Sequence, residues 1–105
     1  MKQCNTEIDG EFLVVKLAGE VDMSWSQEVR AAVLAALKKS NKVAVHLAAV
    51  TYIDSSGIAA LVEGFQNARG RGQTFFLLET SSAVQAVLKL ARLDKVFALR
   101  DRLVG

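Results

Sequence analysis

The feature that most constrains this chain is a repeated change of hydrophobic period, in which short β-prone runs alternate with stretches whose apolar residues recur every three or four positions. Residues 12–18, Phe-Leu-Val-Val-Lys-Leu-Ala, sit between Gly10 and Gly19 and read as a strand. Trp25, Val29, Val33, Ala36 and Leu37 then share one helical face. Residues 42–47 form a mostly apolar run, expected as a central strand that gives way to a loop. Ile58, Leu61, Val62, Phe65 and Ala68 restore helical spacing, residues 74–78 make another buried strand, and Val84, Val87, Leu88 and Ala91 mark a third helix. The polar residues 2–9 pair as an edge strand through an Asp9-Gly10 turn, and residues 96–99 close the series as a last short strand. Two β-α-β units therefore lie in the middle of the chain, and such crossovers are right-handed in nearly all proteins. Three helices of any length are too few to cover both sheet faces fully. The expected fold is α/β, a mixed four- to five-stranded sheet with three to four helices packed mainly on one face.

Local signals set the expected boundaries. Ser24 with Gln27, and Ser82 with Gln85, have capping-box spacing. Lys38 and Lys39 suit the negative end of the first helix, where Asn41 can take a left-handed cap. Gly70-Arg71-Gly72 stops the second helix, and residues 92–95 read as a turn. Proline, internal repeats and linker-like stretches are absent from the sequence, so one domain over residues 1–105 is expected.

Composition narrows the function. With 51% hydrophobic and 23% charged residues, the balance is that of a water-soluble globule. Thirteen basic residues face 11 acidic ones for a formal charge of +2, with the signs interspersed, which argues against direct nucleic-acid binding. Cys4 is the only cysteine, so an internal disulfide and a Cys-rich zinc site are excluded, and a reducing compartment fits. The first seven residues are too polar for a signal peptide, and the longest apolar run falls far short of the ~20 residues that span a bilayer. A cytoplasmic protein without membrane insertion is expected.

The chemistry concentrates in Val50-Thr51-Tyr52-Ile53-Asp54-Ser55-Ser56-Gly57-Ile58, which follows a strand and opens a helix. Backbone N–H groups at a helix start favour negative charge, so a phosphorylated serine is tolerated there without loss of the fold. Gly57 removes bulk beside Ser56, which would let a partner's active site approach the hydroxyl. On spacing alone, Asp54 or Ser55 is simply the N-cap of the helix, a role worth about 0.5–2 kcal/mol. Elsewhere, His46 reads as a packed strand histidine. A Ser56–His46–Asp54 hydrolase triad is rejected because no Gly-x-Ser-x-Gly elbow is present. Gly70-Arg71-Gly72 lacks the Lys-Ser or Lys-Thr of a phosphate loop. Trp25 is either a core staple or a partner anchor, and Cys4 carries no redox signal. No catalytic residue, metal or cofactor is assigned.

Three motifs taken together, Gly19-Glu20-Val21-Asp22, the segment 50–58, and Leu93-Asp94-Lys95-Val96-Phe97, resemble the STAS family of anti-sigma factor antagonists over nearly the whole chain. The resemblance implies a small STAS-like fold. It also implies that Ser56 is the phosphoryl acceptor and that Asp22, Met23, Asp54, Ser55, Ser56 and Gly57 contact the partner. In the implied cycle the protein binds a serine-kinase anti-sigma factor while Ser56 is unmodified; when free it is expected to be a monomer, by default and not from the resemblance. Phosphorylation ends that binding, and a PP2C-type phosphatase restores it. An alternative from another class is a STAS subunit of a bacterial phospholipid-transport ABC assembly, docking on its ATPase. The complete Asp-Ser-Ser-Gly motif favours the switch, because a domain used only for docking needs no phosphorylatable hydroxyl.

Overall fold

The computed structural model describes residues 2–97 with their side chains and the backbone of 99 and 100. The element order is β1 (Gln3–Asp9), β2 (Phe12–Val21), α1 (Ser26–Lys39), β3 (Lys42–Ile53), α2 (Ser55–Gly70), β4 (Thr74–Leu78), α3 (Ser82–Leu90) and β5 (Leu99–Arg100). The five strands form one sheet in sequential order, with β1 antiparallel to β2 and every later pair parallel. The α/β expectation holds, with five strands and, among the described residues, three helices.

Sequential order explains where the helices go. When each parallel crossover moves to the next strand in the same direction and has the same hand, every connecting helix lands on the same face. One buried cluster indeed joins Val29, Val33 and Leu37 of α1, Ile58 and Leu61 of α2, and Val84 and Leu88 of α3 to the inward strand residues Val15, Val43, Val45 and Leu77. Trp25 belongs to this cluster at 6% exposure, which decides for the core staple. The opposite face carries a smaller buried cluster of Val14, Ala44, Phe76 and Leu78, with Phe12 packed edge-on against Phe76 at 5.2 Å between ring centroids.

Several boundaries differ from the sequence expectation. β3 runs on to Ile53 instead of ending near Leu47. Its register with β2 slips twice, between Lys16 and Ala18 and between Gly19 and Glu20, each time giving β3 one extra residue. Every such bulge reverses which side chains point inward, so the positions buried in the helix-side core read 43, 45, 47, 50, 53 and the alternation is lost. Neither expected capping box forms. Trp25 occupies the N-cap of α1 without a side-chain bond, since the Ser24 hydroxyl is engaged by Asp22. Ser81, not Ser82, caps α3 by accepting from the Val84 N–H, while Gln85 bonds Thr80. α1 ends at an extended Ser40, so Asn41 supplies no left-handed cap. Residues 94–97 form turn and bend, and the last strand is Leu99–Arg100, not 96–99; Ala98 lies outside the described residues. The hairpin between β1 and β2 forms as expected, but its two-residue loop is Gly10-Glu11, with Gly10 at a φ of +62°, and Asp9 is still paired with Phe12.

Candidate functional site

β2 and β3 end side by side, Val21 opposite Ile53, and their carboxyl ends release the two segments that matter. In sheets of parallel strands this end is where ligand-facing loops gather. The Asp54 N–H donates to the Val21 carbonyl at 3.2 Å, and the Met23 N–H donates to the Asp54 carboxylate, so the two loops clasp each other. Asp22, Met23, Asp54, Ser55 and Ser56 are thereby brought to one end of the sheet, with Gly57 buried beneath them.

Asp54 organises it. As N-cap of α2, its Oδ1 accepts from the Ser56 N–H at 3.0 Å, the Gly57 N–H at 3.1 Å and the Ser56 hydroxyl at 2.6 Å. The Ser56 hydroxyl, ahead of the Gly57, Ser56 and Met23 backbone donors, holds the Asp54 carboxyl below the ordinary carboxylate range against a smaller opposing effect of burial. The carboxylate is thus fixed as an acceptor, and the Ser56 Oγ is oriented with its hydrogen toward Asp54 and its lone pairs free.

Two sequence expectations change at this point. The first-turn N–H groups of Ser56 and Gly57 are already satisfied by Asp54, so they are not vacant donors awaiting a phosphate. Gly57 is buried and serves the interior. A Cβ there would stand 2.7 Å from Ile53 Cγ1, 2.7 Å from the Val21 carbonyl oxygen and 2.8 Å from Val21 Cγ1. Only glycine lets the start of α2 sit this close to the end of β2, which is a packing reason and not one of partner access.

Ser56 itself is half-buried and opens into a cleft between α1 and α2, so its hydroxyl is not sealed in the core. At the same end of the sheet, Met23 is 78% and Tyr52 49% exposed, two large apolar side chains in water. Tyrosine and methionine are enriched at protein interfaces. Tyr52 was not among the expected contact residues; its signal lies in β3 continuing to Ile53, which hydrophobic alternation did not reveal.

The other candidates fall away from the site. His46 pairs in register with Lys16 and Leu78 in the body of the sheet, and its Nε2 lies 3.1 Å from Glu79 Oε2. Seven strand residues, about 23 Å, separate it from Ile53, so no triad with Ser56 can form. Cys4 sits on β1, where burial and, after it, the Glu28 charge push its thiol upward, away from the reactive thiolate. Among the described residues no helix is long and apolar enough to cross a membrane.

Against known proteins, the architecture defines a class before it defines a function: a sequentially ordered mixed sheet with its helices on one face and an Asp-Ser-Ser-Gly turn at the carboxyl end of a parallel strand. A family model described as "Mlab, STAS domain" matches residues 4–104, so the chain belongs to the STAS-domain family. Among solved structures, an anti-sigma factor antagonist from Mycobacterium paratuberculosis matches with a TM-score of 0.88 at 24% identity, over 98% of this chain and 88% of that one. The anti-sigma factor antagonist SpoIIAA matches in its unphosphorylated form with a TM-score of 0.75 at 20% identity, over 94% and 87% of the two chains. The phosphorylated form of the Bacillus cell fate determinant SpoIIAA matches at 0.70 and 19%, over 94% and 90%. At these identities the likeness establishes the fold.

Proposed function

We propose that this chain is a single STAS domain acting in the cytoplasm as an anti-sigma factor antagonist, a partner-switching protein controlled by phosphorylation of Ser56. The observation that carries the reading is the Ser56 hydroxyl, half-exposed at the start of α2 and hydrogen-bonded to an ionised Asp54, at the end of the sheet where Met23 and Tyr52 are exposed. In the unmodified state a serine-kinase anti-sigma factor docks on Asp22, Met23, Asp54, Ser55 and Ser56, which frees its sigma factor. The kinase then transfers the γ-phosphoryl of ATP. The Ser56 Oγ–P bond forms as the bond to the ADP oxygen breaks, and the hydroxyl proton leaves to the kinase or to solvent. The product carries about −1.5 to −2 charges where a neutral hydroxyl had been accommodated, beside the fixed negative charge of Asp54, and the complex separates. Hydrolysis by a PP2C-type phosphatase restores the hydroxyl.

The Ser56→Asp variant tests this. It is expected to lose at least tenfold in affinity for the kinase, about 1.4 kcal/mol or more, while unfolding within about 1 kcal/mol of the parent. Ser56→Ala is expected to bind and to resist phosphorylation. Titration calorimetry with the purified kinase reads both. Equal binding by Ser56→Asp and the parent, or docking on a transport ATPase with indifference to Ser56, would overturn the switch.

A further inference from the structure

Ser56 shares its cleft, of about 210 Å³, with Gln27 and Arg30 of α1 and with Ala59, Ala60 and Glu63 of α2. Positions 56, 59, 60 and 63 form one stripe of the helix, so Ser56 and Glu63 lie at its two ends, about 10 Å apart along the axis. The two alanines between them leave the floor low. Arg30 reaches in from α1 and forms an ion pair with Glu63, and both side chains are nearly half exposed.

Phosphorylation of Ser56 disturbs this arrangement for a definite reason. The ester oxygen no longer carries the hydrogen that Asp54 accepted, and the phosphate is an acceptor only. It faces an ionised carboxylate on one side, and the Ser56 and Gly57 N–H groups that could have received it are already committed to Asp54. On the other side lies the cleft, where Arg30 is the one cationic lining residue among the described residues. A guanidinium matches phosphate with two parallel N–H···O bonds, and its present partner is a single, solvent-screened carboxylate.

We propose that phosphoserine at position 56 turns away from Asp54 into the α1–α2 cleft and takes Arg30 from Glu63. The inference rests on Ser56 being the acceptor and extends it to the form of the off state. The released Glu63 carboxylate then faces solvent two turns along α2. The partner thus meets a charge change spread along the helix, not one confined to the hydroxyl.

The test is a phosphorus-31 NMR titration of the full chain carrying phosphoserine installed at position 56 during synthesis, so that no kinase is needed. A free phosphoserine has its second ionisation near pH 6. In the parent background it is expected at least about half a unit lower than in Arg30→Gln, with Arg30→Lys between the two and Glu63→Gln lower still, because Arg30 is then unclaimed. Superimposable titrations of the parent and Arg30→Gln forms would overturn the proposal. Arg30 is exposed enough for its variants to keep the fold, and circular dichroism of each sample verifies this. Failure here leaves Ser56 as acceptor untouched. A chain that its kinase never modifies at Ser56 would sink the functional reading while the titration still stands.

Discussion

Asp22-Met23-Ser24 and Asp54-Ser55-Ser56 are the same turn built twice at the same end of the sheet. In each, the aspartate Oδ1 accepts from the serine N–H two residues on at 3.0 Å and from the serine hydroxyl at 2.6 Å. In each, the serine hydroxyl is the leading cause of a lowered aspartate pKa. Their surroundings differ. Asp54 also caps α2 through the Gly57 N–H and receives the Met23 N–H, whereas α1 starts with no side-chain cap and its first turn bonds to the Asp22 carbonyl instead. Ser24 already has Lys2 at its oxygen, with the Lys2 Nζ 3.4 Å from Asp22 Oδ1. Ser56 faces a cleft whose arginine is held by Glu63. Local turn chemistry alone does not distinguish Ser56, the serine proposed as the phosphoryl acceptor, from Ser24; what each turn is joined to does.

The comparison breaks most visibly at Gly57. Gly57→Ala is expected to destabilise the fold by about 1–3 kcal/mol in urea unfolding, because the added methyl meets a backbone carbonyl that cannot swing aside. The next effect separates the two aspartates. Asp54→Ala is expected to cost about 0.5–2 kcal/mol, the range for loss of an N-cap, and Asp22→Ala less than Asp54→Ala under the same conditions, since no helix depends on its side chain. An equal loss at both sites would show the turns to be equivalent.

Smaller still is the pH effect. Both carboxyls have native pKa values below their unfolded value of about 3.9. Their stabilisation is complete above that value and is lost as pH falls through the depressed native pKa, because the unfolded chain then binds more protons. Denaturation midpoints from about pH 6 to about pH 2.5 are expected to fall on the acid limb, and Asp54→Asn to flatten that limb more than Asp22→Asn.

The fold was legible because its signals are local and repeated: helical spacing in 58–68, the apolar run 74–78 and the Asp9-Gly10 turn all lie within a few residues. The same holds for Asp54 and Ser56, whose hydrogen bonds close over two positions. What the sequence hid depends on contacts between distant segments. Two bulges against β2 concealed the second half of β3 and with it Tyr52. The role of Gly57 is set by Val21, across the sheet, and Arg30 meets Glu63 only because α1 and α2 pack side by side. The cap of α3 shifted because the Ser81 hydroxyl also donates to the distant Val50 carbonyl, whereas Ser24 was lost to a competitor only two residues away, Asp22, whose claim on it the capping-box spacing does not reveal.

The most direct measurement is phosphopeptide mapping of the chain by mass spectrometry, after incubation with ATP in a lysate of the cells that make it. The account expects phosphate on Ser56 and none on Ser24, although both hydroxyls sit 2.6 Å from an aspartate oxygen. Phosphate on Ser24 or Ser55 with Ser56 unmodified, or no phosphate on any of the three, would contradict it.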